Sequence, residues 1–134
     1  MIKTAIITGA SKRVGKSVAE HLAAKGWSIA IHYHHSEDEA TKLAVQLSAK
    51  FPDQKFKVFR ANLNDISEVK KLVPAIISEM GGIDLLINNA SVFEKSYLEE
   101  TTVELYDRQL NINLKAPFFM MRDFLVHCKK GNVI

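Results

Sequence analysis

The chain has 134 residues, a formal net charge of +3 and a hydrophobic share of 47%, which suits one globular domain with a real core. The interspersed charges argue against a nucleic-acid partner, and no apolar run is long enough to span a bilayer. The N-terminus enters a strand pattern without signal-peptide architecture, and the single cysteine, Cys128, excludes an internal disulfide, so a cytoplasmic setting is expected.

"TAIIT" (4–8) reads as a buried strand. A helix is predicted from about Arg13 to Lys25, with Val14, Val18 and Leu22 as its apolar stripe and Gly26 as its stop. "WSIAIHY" is the second strand, and "SEDE" from Ser36 is a capping box for a helix carrying Leu43, Ala44 and Leu47. "FKVFRA" is the third strand. "DISE" at Asp65 opens a helix with Val69, Leu72, Val73, Ile76 and Ile77 on one face, Pro74 bending it on the solvent side, and Gly81-Gly82 ending it. "IDLLINN" is the fourth strand. After the loop "ASVFEKSYLEE", a capping box at Thr101 starts a long helix that runs to about Lys130 and is kinked or divided by Pro117. Strands separated by helices of this length imply a doubly wound parallel sheet of the Rossmann type in three α/β/α layers, occupying residues 1–134. The terminal "GNVI" reads as the opening of a fifth strand, so the chain is expected to be part of a longer one.

The turn "TGASKRVG" lies between the first strand and the first helix, where backbone N–H groups meet a pyrophosphate. Gly9 and Gly15 suit that task. Arg13 stands where a middle glycine is usual, and its fork can donate two hydrogen bonds to phosphate. The competing reading is an exposed cation in a helix's first turn. The helix dipole disfavours that unless an anion compensates. NAD-binding proteins of this fold usually carry an acid at the end of the second strand. Here that place reads "HYHHS", which would accept rather than repel a 2′-phosphate. His34, His35 and Ser36 are therefore expected to hold it, and the cofactor is NADP(H) rather than NAD. A metal on His32 and His34, which share a strand face, is disfavoured by the lack of matched acids and thiols.

Together "TGASKRVG", "LINNAS" and "NLKAPF" resemble the short-chain dehydrogenase/reductase family. Arg13, "HYHHS" and "NNAS" in place of "NNAG" narrow the resemblance to the pteridine reductases, which reduce pterins and folates with NADPH. The resemblance covers the chain from the first strand to "GNVI". It implies cofactor binding by Gly9, Ser11, Arg13, Val14 and Gly15 of the turn, and by Asn89, Ala90 and Ser91 beside the ribose and nicotinamide. It further implies that Arg13 and Ser91 also reach a pterin-like substrate, and that Phe93 stacks on it. Offset stacking suits a flat heteroaromatic ring, but packing of Phe93 back onto the domain is an equal reading. Asn113 matches the family's catalytic asparagine, which orients a water in the proton relay; a helix-break role before Pro117 is compatible with that. Asn62, followed by Leu63, stands where the family usually has an aspartate contacting adenine.

The family's proton donor is a tyrosine with a lysine four residues on. Tyr33, Tyr97 and Tyr106 are followed at that spacing by Glu37, Thr101 and Leu110, so none fits. This chain alone is expected to be inactive. The alternatives are a reductase of carbonyls such as 3-oxoacyl carriers, or a non-catalytic NADP-binding or interaction module. By resemblance the protein forms homotetramers through the helix from about Asn113 to Lys130. His21, His127 and Cys128 are expected on helix surfaces without chemical roles.

Overall fold

The computed structural model describes residues 1–128 and 130–134. Five strands are present: β1 (Thr4–Ile7), β2 (Ser28–Tyr33), β3 (Phe56–Arg60), β4 (Leu85–Ile87) and β5 (Asn132–Val133). They form one parallel sheet in the order β3-β2-β1-β4-β5. The order reverses beside β1: β2 and β3 lie on one side of it, β4 and β5 on the other. A crevice therefore opens at the carboxyl ends of β1 and β4.

Side-chain alternation divides the core. Ala5, Ile7, Ile29 and Ile31 face the helices α1 (Arg13–Ala24) and α2 (Glu37–Lys50), against Ala19, Ala23, Leu43 and Leu47. Ile6, Ala30 and Leu86 face the opposite way, against Val69, Leu72, Val73 and Ile76 of α3 (Ile66–Met80) and Met120 and Phe124 of α5 (Ala116–His127). The result is the expected three-layer Rossmann-type fold, apolar on both sheet faces.

Several local expectations change. The buried face of α1 is Gly15, Ala19 and Ala23, one residue on from the stripe read in the sequence, and Val14 is exposed. Small residues let this helix lie close to the sheet, and that close approach outweighs the larger apolar groups beside them. Ser36 is the N-cap of α2, but its hydroxyl makes no capping bond, and Glu39 instead pairs with Lys12 at 3.5 Å. Asp65 does cap α3, accepting the Ser67 N–H, and Gly81 closes it in the left-handed conformation at φ 87°. Pro74 is exposed within α3, so its missing hydrogen bond falls on the solvent side, as read.

The long C-terminal helix is divided. Thr102, not Thr101, caps α4 (Val103–Leu110), and Thr101 instead donates to the Tyr97 carbonyl at the end of a 3₁₀ turn, Leu98–Glu100. A π-helical turn, Asn111–Lys115, then leads into α5, with Pro117 in the first turn. Pro117 has no N–H to offer the Asn113 carbonyl, and the helix is interrupted there by the wider turn. Helix α5 stops at His127, short of the expected limit at about Lys130, which lies in a turn.

Candidate functional site: a cavity over the glycine turn

The crevice holds a cavity of about 460 Å³. One wall is the turn after β1, with Gly9, Ser11, Arg13 and Val14. A second is the end of β2, with His34, His35 and Ser36, and a third is the segment Asn89–Val92. Lys12, His32, Tyr33, Leu63 and Ile112 also line it, and no carboxylate is among the lining residues. Gly15, Asn62, Phe93 and Asn113 lie outside it.

The turn is built around two close approaches. At Gly15 a Cβ would come within 2.3 Å of the Gly9 carbonyl and 2.6 Å of Asn89 Nδ2. Gly9 adopts φ 63° and passes so near Ala90 that a Cβ would sit 3.1 Å from its Cα. The helix that follows has no side-chain cap and no acid in its first turn. Among the described residues, the N–H groups of Arg13, Val14 and Gly15 find no partner. Such orphan donors, at the positive end of a helix, suit an anion.

Gly9 lines the cavity but does not contribute its N–H to that set. The Gly9 N–H donates to Nδ1 of His32 at 3.0 Å. His32 is therefore protonated on Nε2, which donates to the Ala61 carbonyl at 2.9 Å. The ring is 2% exposed, and burial lowers its pKa to about 4, so it is neutral over the physiological range. With both nitrogens engaged, His32 is no metal ligand. Its only sequence cue was a polar residue inside an apolar strand.

Arg13 is the one described non-glycine residue with positive φ, at 53°. A glycine would take this conformation freely, whereas an L side chain is strained there. The arginine is exposed at the cavity rim, with no carboxylate partner among the described residues.

At the end of β2, His34 and His35 lie with ring centroids 3.7 Å apart. Burial, and after it the proximity of His35, lower the His34 pKa. The uncapped Ser36 hydroxyl stands beside them.

Asn89 ties the turn to β4. Its Nδ2 donates to the carbonyls of Thr8 (3.1 Å) and Gly9 (3.2 Å), while the N–H groups of Asn89 and Ala90 both donate to Thr8 Oγ1 at 3.0 Å. Thr8, not singled out in the sequence, is thus a clamp between β1 and β4. Asn113 accepts the Val92 N–H at 2.8 Å and donates to the Val92 carbonyl at 2.7 Å. Asn62 accepts the Asn64 N–H and gives its own N–H to Glu68. Phe93 is 85% exposed, which rules out packing back onto the sheet.

A parallel sheet with a glycine turn at its switch point and an anion-ready cavity above it is the Rossmann-type arrangement of a dinucleotide-binding protein. Residues 3–134 match the family model for short chain dehydrogenases, and the chain belongs to that family. Over 118 residues it is 34% identical to the 3-oxoacyl-[acyl-carrier-protein] reductase FabG of Staphylococcus aureus, a match covering 88% of this chain and 47% of that protein. It is 33% identical to galactitol 2-dehydrogenase of Agrobacterium fabrum, covering 90% of this chain and 44% of the relative. The chain thus spans about half the length of the curated relatives it matches.

Among solved structures, a blue fluorescent protein from a metagenomic library, in complex with NADPH, superposes with a TM-score of 0.92 at 32% identity, covering 98% of this chain and 53% of the other. FolM alternative dihydrofolate reductase 1 of Brucella suis, in complex with NADP, superposes at 0.90 with 30% identity, covering 98% and 55%. No helix among the described residues is long and apolar enough to cross a membrane.

Proposed function

We propose that this chain is the NADP(H)-binding part of a reductase acting on pterin- or folate-type rings. The observation that carries this reading is the acid-free wall at the end of β2, where two imidazoles and a free serine hydroxyl face the cavity. A ribose 2′-phosphate suits that wall. A carboxylate there would select against it. The pyrophosphate suits the orphan N–H groups of Arg13, Val14 and Gly15, with the Arg13 guanidinium beside them. Ser11 lies on the same wall. Leu63, with Asn62 behind it, suits the adenine side, and Ala90 and Ser91 the ribose and nicotinamide. NADPH, when bound, supplies the hydride. Complexes of FolM and of the blue fluorescent protein with NADP and NADPH support the cofactor assignment.

Arg13 and Ser91 line the cavity and the exposed Phe93 follows the lining residue Val92, so a flat heteroaromatic substrate there would meet a cation and an exposed ring. The Asn113 amide is engaged with Val92 at both ends. Any part of Asn113 in a proton relay therefore falls to its backbone carbonyl, which Pro117 leaves without its usual helical donor. No Tyr-x-x-x-Lys is present in these 134 residues, so we assign proton delivery to groups outside them. Exposed Leu114, Phe118, Leu125 and Val126 suit self-association, while Met120 and Phe124 of the same stretch are buried in the core.

The likeness to FabG favours a second reading, a reductase of carbonyls on a carrier. Titration of the chain with NADPH, NADH and folic acid separates the readings. Tight NADPH, weak NADH and folate binding to the NADPH complex support the first. Equal affinity for NADPH and NADH removes the cofactor assignment, and NADPH binding without folate binding moves the balance to the second.

A further inference from the structure

Phe93 belongs to a stretch that the sheet does not hold. Among the described residues, no backbone-to-backbone hydrogen bond reaches residues 91–96. What holds this stretch is two side-chain amides. Asn113 exchanges both hydrogen bonds with the backbone of Val92. Gln109 does the same for Glu94: its Oε1 accepts the Glu94 N–H at 3.2 Å and its Nε2 donates to the Glu94 carbonyl at 3.3 Å. Arg108 adds a charged bond to the Glu94 carboxylate at 2.6 Å.

The spacings agree. Residues two apart in an extended chain turn their N–H and C=O to the same side, about 6.6 Å apart. Residues four apart on a helix share a face, about 6 Å apart. Gln109 and Asn113 therefore act as a substitute strand edge, with one rung on each side of Phe93. The ring between the rungs is left exposed, on a backbone that is anchored immediately before and after it.

We propose that Gln109 is a positioning residue: with Asn113 it fixes the Phe93 backbone so that the ring forms a ready-made stacking wall for a flat heteroaromatic ligand at the cavity mouth. This rests on the reading of Phe93 given above. Gln109 touches no cofactor wall, so its effect falls on the substrate side alone.

The test uses the full chain with NADPH, folic acid as the probe, and the variants Q109A, Q109E and F93A. Amide exchange is followed at Val92 and Glu94. The expected result for Gln109→Ala is lost protection at Glu94 but not at Val92, folate affinity down about tenfold, close to that of Phe93→Ala, and NADPH affinity within about twofold of the unsubstituted chain. Gln109→Glu, which keeps an acceptor for the Glu94 N–H but loses the amide donor, should fall between. The double variant should bind folate no more weakly than Phe93→Ala. Unchanged Glu94 protection, or equal losses of folate and NADPH affinity in Gln109→Ala, overturns the proposal. If Phe93→Ala binds folate normally, the Phe93 reading fails. If Phe93→Ala weakens folate but Gln109→Ala does not, only the role of Gln109 fails.

Discussion

His32 and Gly9 are joined by a hydrogen bond in which the imidazole Nδ1 accepts the glycine N–H at 3.0 Å. The same ring reaches Ala61 on its other side, so one buried side chain sets the distance between the phosphate turn and the ends of β2 and β3. Replacing it with leucine leaves the Gly9 N–H and the Ala61 carbonyl without partners, at a cost of about 3 kcal/mol. Urea unfolding of His32→Leu at neutral pH measures it.

The same ring makes stability depend on pH. Its folded-state pKa, about 4, lies below the unfolded value of 6.5, with His34 the neighbouring group that adds to the burial effect. The unfolded chain therefore binds more protons in between. The contribution is complete above about 6.5, declines as the pH falls below that, and is gone once the pH has passed through about 4. The full span is on the order of 3 kcal/mol. Unfolding free energies at several pH values should slope upward with pH across this window in the unsubstituted chain and lie flatter in His32→Leu.

Arg13 sits at φ 53°, so Arg13→Gly should raise stability by about 1 kcal/mol while weakening NADPH binding. Thermal unfolding and a fluorescence titration give the two numbers on one sample. A variant that is both less stable and equally tight in binding contradicts both halves of this expectation.

Gly15→Ala meets backbone at 2.3 Å, and its φ is ordinary, so the penalty is steric. The Gly9 carbonyl and the Asn89 amide must move apart, costing about 2 kcal/mol or more. NADPH affinity should fall with stability, because the displaced atoms are those that shape the turn.

His34, on the wall at the end of β2, binds a 2′-phosphate best when charged. Burial and the adjacent His35 favour the neutral form of His34 in the free protein, and a bound phosphate reverses that preference. The ratio of NADPH to NADH affinity should therefore fall as the pH rises from about 5.5 to 8. Titrations of both coenzymes at three pH values measure it, and a constant ratio excludes charged imidazoles from phosphate recognition.

The strand–helix alternation, the parallel sheet and the place of the turn were legible in the amino-acid order, because each depends on local periodicity and on glycines with few alternatives. It also brought most of the cavity-lining residues together, from "TGASKRVG", "HYHHS" and "NNAS". What those residues do to one another depends on contacts made in three dimensions. The one-residue shift of the α1 face follows from how closely Gly15 and Ala19 let that helix approach the sheet. His32 reads locally as one polar residue in a strand, and its partners are 23 and 29 residues away. Thr8 and Asn89 pair across 81 residues, and Gln109 reaches Glu94 from a helix whose cap the sequence misplaced. Hydrogen bonds of that span satisfy buried or loop backbone groups in three dimensions, and local composition carries no record of which distant residue will be at hand.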